Sequence, residues 1–123
     1  MRLADAYLIR AEARLKQGNT SGAASDINVI RTRAAWDGKE ADMQITAADV
    51  DVDMILDERA RELVGENHRW FDLTRMGKLV ERVRLYNSDG QANIQDYHVV
   101  RPIPLSQIDR TSGGYAQNPG YAQ

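Results

Sequence analysis

A chain of 123 residues, 42% hydrophobic and 28% charged with a net charge of −2, has the balance of one small folded domain. Its 16 Lys and Arg against 18 Asp and Glu leave no basic footprint, which excludes nucleic-acid binding and electrostatic capture by an anionic membrane. Without cysteine there is no disulfide, thiol nucleophile or cysteine-bearing zinc site, and no run approaches the roughly 18 apolar residues of a membrane span.

In chain order, Leu3, Tyr7, Leu8, Ala11 and Leu15 recur at helical spacing and predict an amphipathic helix over residues 2–17. Gly18 stands where a left-handed residue ends a helix. Thr20 or Ser21 is placed to cap a second helix, in which Ala23, Ile27, Ile30 and Ala34 form one buried face. Ala11, Ala13, Ala23 and Ala24 let the two helices approach closely. This helix pair, over about residues 2–34, resembles one tetratricopeptide repeat, a unit that stacks on neighbours because it cannot bury its own face. Tyr7 and Glu12 are expected to serve packing and surface pairing.

Residues 36–50 form an acidic linker, with Asp37, Glu40, Asp42 and Asp49 against a single Lys39. Thr46 and Asp49 have the spacing of a capping box. The alternation Asp49, Asp51, Asp53 does not make a calcium loop, since an EF-hand counted from Asp49 needs Gly at position six and Glu at twelve and finds Met54 and Ala60.

Residues 51–84 predict two helical pieces either side of Gly65. In the first, Val52, Leu56, Ala60 and Leu63 mark the buried stripe, and Glu58, Arg59, Arg61 and Glu62 a charged outer face that pairs with itself. In the second, Trp70, Leu73, Met76, Leu79, Val80 and Val83 give a new stripe, and Trp70 with Phe71 is expected to anchor the core. Beyond it, residues 86–123 predict an irregular tail. Asp89-Gly90 makes a tight turn, Tyr97-His98-Val99-Val100 a short extended segment stopped by Pro102 and Pro104, and Ile103, Ile108 and Tyr121 are the expected anchors. The fold class expected is mostly α: tetratricopeptide-like helical hairpins with an irregular C-terminal tail. Leu, Ile, Val and Phe together make only 26 of the 123 residues, as expected of a piece of a larger helical body.

Three separated blocks carry a family resemblance. Glu58-Arg59-x-Arg61-Glu62-Leu63, followed by Glu66-x-His68-Arg69-Trp70-Phe71-Asp72-Leu73-x-Arg75, closely resembles the signature of the SusD/RagB family, nutrient-binding lipoproteins of the Gram-negative outer membrane. The run from Leu3 to Ala13 is similar to that family's sequence before its penultimate repeat. Arg101-Pro102-Ile103-Pro104 and Gln117-Asn118-Pro119-Gly120-Tyr121 resemble its closing elements. Where the family has a small apolar pair, and Gly before the His, this chain has Val64-Gly65 and Asn67.

The resemblance implies the C-terminal portion of a surface-exposed outer-membrane lipoprotein that binds a glycan or other nutrient and delivers it to a TonB-dependent transporter. It implies neither an enzyme nor a cofactor, and membrane contact only through a lipid anchor. Family members are exported and acylated on an N-terminal Cys; neither feature lies in these residues, so the C-terminal portion alone is expected. A tetratricopeptide-type protein-interaction module and a small glycan-active enzyme are the alternatives.

The chemistry the residues offer is sparse. Glu58, Glu62 and Glu66, at spacing four, are expected to line one helix face, the arrangement a pair of catalytic carboxylates needs, but Arg59, Arg61 and Arg69 nearby would keep them ionised, so no catalytic residue is expected. His68 and His98 have no metal-ligand spacing, so no metal site is expected either. His68 is expected to hydrogen-bond at the junction of the two helical pieces. Trp36, at a helix end beside Asp37-Gly38, is the candidate for stacking on a sugar ring, whereas Trp70 lies on the apolar stripe. The signature residues Glu58, Arg59, Arg61, Glu62, His68, Arg69, Trp70, Phe71 and Asp72 are expected to be structural.

Overall fold

The computed structural model describes residues 2–122, and the end positions Met1 and Gln123 of the ranges above lie outside the described residues. The fold is mostly α, with six α-helices and three 3-10 turns among the described residues. The chain divides into two compact units, one ending at Arg69 and the other beginning at Trp70.

In the first unit, helix α1 (Leu3–Lys16) ends before Gly18, whose φ of 78° is left-handed. Helix α2 (Thr20–Ala34) is capped by Asn19 rather than by Thr20 or Ser21: the Asn19 side chain accepts the Gly22 N–H at 2.8 Å. The left-handed Gly18 reverses the chain at once, so the first non-helical residue is Asn19, itself one of the strongest caps. Helix α3 (Val52–Glu62) is capped by Asp51, which accepts the Met54 N–H at 2.7 Å. The expected capping box forms one turn earlier. Asp49 accepts the Thr46 N–H at 2.8 Å and its hydroxyl at 2.7 Å, closing a 3-10 turn at Ala47–Asp49. Those two bonds, with the hydroxyl first, hold the Asp49 carboxyl below its ordinary 3.8. Its contribution to stability is therefore complete above that value and is lost as pH falls through the lower folded one.

The core of this unit is built from small residues: Ala4, Leu8 and Ala11 of α1, Ala23, Ala24, Ile27 and Ile30 of α2, and Ile55 and Leu63 from α3 and its end. Two expectations are corrected here. Leu3 is 74% exposed, and the inward face of α1 is instead Ala4, Asp5, Leu8, Ala11 and Glu12, two of them acids. Glu58 and Arg59, expected on an outer face, are 5% and 4% exposed. The reason is the same in both cases: alanine contacts bring the helices so close that polar side chains at the margins of each stripe are enclosed, and they stay there because each finds an opposite charge.

Asp26 of α2, 2% exposed, meets Arg10 at 2.6 Å and Arg14 at 2.8 Å from α1. Arg31 of α2 donates to one Glu58 oxygen from Nε at 3.0 Å and from Nη2 at 2.9 Å, and Arg61 reaches the same oxygen at 2.7 Å. Asp5 of α1 and Arg59 of α3 lie 3.1 Å apart. Every pair of helices in the unit is thus tied by at least one enclosed or half-enclosed ion pair. The linker is held differently. The Asn28 side chain donates to the Ile45 carbonyl and accepts the Ile45 N–H, both at 2.9 Å.

The second unit contains most of α4 (Arg69–Arg75), α5 (Leu79–Tyr86), a 3-10 turn at Asp96–Val99 and α6 (Leu105–Asp109). Leu73 and Leu79 are buried, Trp70 is half-buried, and Phe71 is 64% exposed. The expectation that Trp70 and Phe71 together anchor the core is therefore corrected: on a two-turn helix whose inward residues are Asp72 and Leu73, Phe71 falls on the open side. The Tyr97–Val100 stretch is not extended. His98 Nδ1 accepts the Gln95 N–H at 2.8 Å, and this cap curls the segment into a 3-10 turn despite its β-prone residues.

The tail likewise is not irregular throughout, since α6 starts directly after Pro104, whose ring fixes a φ compatible with entering a helix. Gln117 then donates to the Ile103 carbonyl at 2.9 Å and accepts the Ile103 N–H at 2.7 Å, Asn118 donates to the Arg101 carbonyl, and the Tyr121 hydroxyl donates to the Val100 carbonyl. Gly120, at φ 89°, lies so close to Tyr97 that a Cβ would overlap the ring.

Two outcomes follow from this packing. Asp26→Ala leaves Arg10 and Arg14 facing each other without their carboxylate and should cost about 3 kcal/mol in urea unfolding, whereas Arg10→Ala, which leaves Arg14 in place, should cost clearly less. Gly120→Ala combines a left-handed backbone with a clash on Tyr97 and should destabilise the chain by about 2 kcal/mol, seen as faster amide exchange across residues 97–121.

Candidate functional site

The signature divides between the two units. In the first, Glu62 is shared by Arg33 at 2.6 Å and Arg2 at 2.9 Å, and Arg2 also donates to the Glu62 carbonyl and to Glu66. The Arg2 contact holds the Glu66 carboxyl below its ordinary value of 4.5. Glu58 and Glu62, with Arg31 and Arg61, line a cleft of 200 Å³ floored by Ile30. The three carboxylates do not share one helix face, because α3 ends at Glu62 and Glu66 falls in the turn beyond it; each is in contact with at least one guanidinium, a pairing that suits a strut.

The turn between α3 and α4 explains a departure in the signature. Asn67 has φ 60°, left-handed, at the position where a Gly is usual, and Asn is among the residues that tolerate that conformation best. Arg69 then donates to the Leu56 carbonyl at 2.7 Å, fastening the first residue of α4 to the body of α3. His68 is half-buried beside this bond and makes no side-chain hydrogen bond among the described residues, so the expected His68 contact at the junction is replaced by the Arg69 one. In the second unit, Asp72 is buried and meets Arg75 at 3.1 Å, and the guanidinium of Arg101 lies 5.1 Å from the Trp70 ring centroid.

Trp36 stands apart from this network. It is 85% exposed, just past α2, on a turn closed by the Lys39 N–H donating to the Trp36 carbonyl at 2.8 Å, with Gly38 left-handed at φ 76°. A ring held on a short turn and open to solvent is a ready stacking surface, with Lys39 and Asp42 paired at 3.1 Å nearby.

The buried carboxylates Asp5 and Asp26 and the half-buried Arg31 escape a reading based on apolar periodicity. One signal was available: Asp26 lies three residues after Ala23 and four before Ile30, on the apolar stripe itself, where a charge must be paired.

Comparison with known proteins places these features. The SusD family model matches residues 1–121. The chain is 36% identical to "SusD-like protein P25" of Formosa agariphila over 133 aligned residues, covering 93% of this chain and 24% of that protein. It is also 36% identical to "Starch-binding protein SusD" of Bacteroides thetaiotaomicron over 124 residues, covering 98% of this chain and 21% of that protein. The chain thus spans about a quarter to a fifth of the length of these relatives. No solved structure matches it.

The unequal burial of the aromatic pair gives a direct test. Trp70→Ala should cost about 2 kcal/mol, roughly half of what a fully buried Trp costs, while Phe71→Ala should stay within about 0.5 kcal/mol of wild type in thermal and urea unfolding.

Proposed function

The chain belongs to the SusD family, and on that premise we propose that it is the C-terminal portion of a glycan-binding lipoprotein of the outer membrane, which passes oligosaccharide to a TonB-dependent transporter. The observation that carries this reading is the match across residues 1–121 together with a relative named for starch binding. The protein acts as a binder and not as an enzyme. In support, Glu58, Glu62 and Glu66, the carboxylates with catalytic spacing, are engaged by Arg31, Arg61, Arg33 and Arg2.

In this reading the first unit is a stiff helical scaffold, and Trp36 is the aromatic platform it offers to the ligand. One platform supplies only a fraction of the affinity: an aromatic stacking contact adds about 0.5–1.5 kcal/mol beyond its area, whereas millimolar binding already requires about 4 kcal/mol. The remaining hydrogen bonds and stacking faces therefore come from other parts of the full-length protein. The signature's charged residues keep the scaffold rigid and do not touch the glycan.

Titration calorimetry with starch-type and xylan-type oligosaccharides tests the proposal. The chain by itself should bind none of them more tightly than about 100 μM and release no reducing sugar, while the full-length protein should bind one of them and lose about threefold to tenfold on Trp36→Ala. Reducing-sugar release from mixed polysaccharides would favour the enzyme alternative. Tight binding by the chain alone would place the main glycan site within these 123 residues.

A further inference from the structure

The cleft floored by Ile30 has Ala34 and Met43 as further apolar wall, and a polar wall on which Arg31 and Arg61 meet Glu58. Every N–H donor that reaches Glu58 lands on one oxygen: Arg31 Nε at 3.0 Å, Arg31 Nη2 at 2.9 Å and Arg61 Nη2 at 2.7 Å all point to Oε2. The other oxygen, Oε1, has no hydrogen-bond partner among the described residues, on a side chain that is only 7% exposed. We propose that Glu58 Oε1 and the open edge of Arg61 form a binding site for a small primary carboxamide with an aliphatic body, a ligand class and a place distinct from the glycan surface at Trp36.

A carboxylate oxygen only accepts, and it offers about two lone-pair directions, so three donors crowd Oε2 while Oε1 stands bare. A bare acceptor in a nearly enclosed position costs free energy until something donates to it. This one can be reached: Glu58 lines the cleft, and Oε1 is not sealed from solvent. Beside it, Arg61 uses only Nη2, so Nε and Nη1 of this exposed side chain remain open, and a guanidinium only donates. Glu62, the second carboxylate of the cleft, has one oxygen on Arg2 and the other on Arg33 and supplies no further open acceptor.

An acceptor-only atom next to a donor-only group selects by charge and by geometry. In the lining, Arg31 and Arg61 balance Glu58 and Glu62. An ammonium ligand would meet Oε1 but stand against two guanidinium groups, and a carboxylate ligand would meet Arg61 but stand against Oε1. A neutral ligand with its donor and its acceptor on separate atoms satisfies both. A primary carboxamide holds them on one planar edge, with an N–H beside the C=O, whereas a trans secondary amide such as the peptide bond points them to opposite sides. The aliphatic body then covers Ile30, Ala34 and Met43. Glu58 is held in place by Arg31, which also donates to the Met43 carbonyl at 3.3 Å, so the acceptor loses little freedom when the ligand arrives.

The probe is 3-methylbutanamide, titrated to tens of millimolar at neutral pH against the 123-residue chain while its nitrogen–proton correlation spectrum is recorded. Its comparators share the same carbon skeleton: 3-methylbutanoate, 3-methylbutylamine and the N-methyl secondary amide. The expected result is saturable shifts in the millimolar range for the primary amide, confined to residues 30–34, 43 and 58–62 and to the Arg61 Nε–H, with each comparator at least about tenfold weaker. Arg61→Ala removes the open donor and leaves Arg31 on Glu58; it should weaken binding of the primary amide about threefold to tenfold. The ligand series tests the site without any variant. The inference is overturned if the primary amide gives no saturable shifts at those residues, if any comparator binds as tightly, or if Arg61→Ala binds like wild type.

Discussion

Asp26 and Glu58 are carboxylates enclosed between helices, and each is met by two arginines. The rest of the first unit depends on this constraint. An alanine-lined interface brings α1, α2 and α3 too close for water to reach the margins, and a carboxylate trapped there without a cation would carry a desolvation penalty of several kcal/mol. The converse also holds. The arginines can reach only if the helices keep one register, so the ion pairs select a single arrangement of a core that is poor in bulky side chains. Planar, forked guanidinium groups suit this task; Arg31 directs two N–H donors onto one Glu58 oxygen, from Nε and from Nη2.

Outside the helices the same problem, unpaired polar groups near a packed surface, is solved with amides. Asn28 pairs with both backbone groups of Ile45, and Gln117 with both backbone groups of Ile103. Each side chain does for one residue what a neighbouring strand would do for a row of them. The second case also joins two stretches that look separate in sequence. The Pro-Ile-Pro segment cannot enter a sheet because two of its residues lack an N–H, and the Gln-Asn-Pro-Gly-Tyr stretch supplies its partners from 14 positions away. Gly120 is needed because Tyr97 occupies the space a side chain would take.

These devices bear on function by dividing labour. Charged side chains of the signature are engaged with one another and with their neighbours, and the aromatic ring they leave uncovered is the solvent-facing Trp36 on its turn. Rigid elements carrying a few unengaged polar and aromatic groups are what weak, repeated recognition of uncharged ligands requires, since little freedom is lost on binding and no charged group must be desolvated.

The positions of α1, α2 and α3, the left-handed Gly18, the Thr46–Asp49 box, the Asp89-Gly90 turn and the mostly α class follow from local rules that operate within a few residues, and the sequence alone determined them; it did not show the left-handed Gly77 that breaks the expected second piece into α4 and α5, or helix α6. The family was legible as well, because its motifs are strings of specific residues. Burial of charge was not. Whether Glu58 faces water or Arg31 depends on a partner 27 positions away, and whether Phe71 is covered depends on which side of a two-turn helix meets a neighbour. The same holds for Tyr97–His98, where a cap from Gln95 overrode β-propensity. Periodicity reports where apolar groups lie around a helix axis; only the packed structure decides which polar groups are enclosed with them, because that depends on how closely other helices approach and what charges they bring.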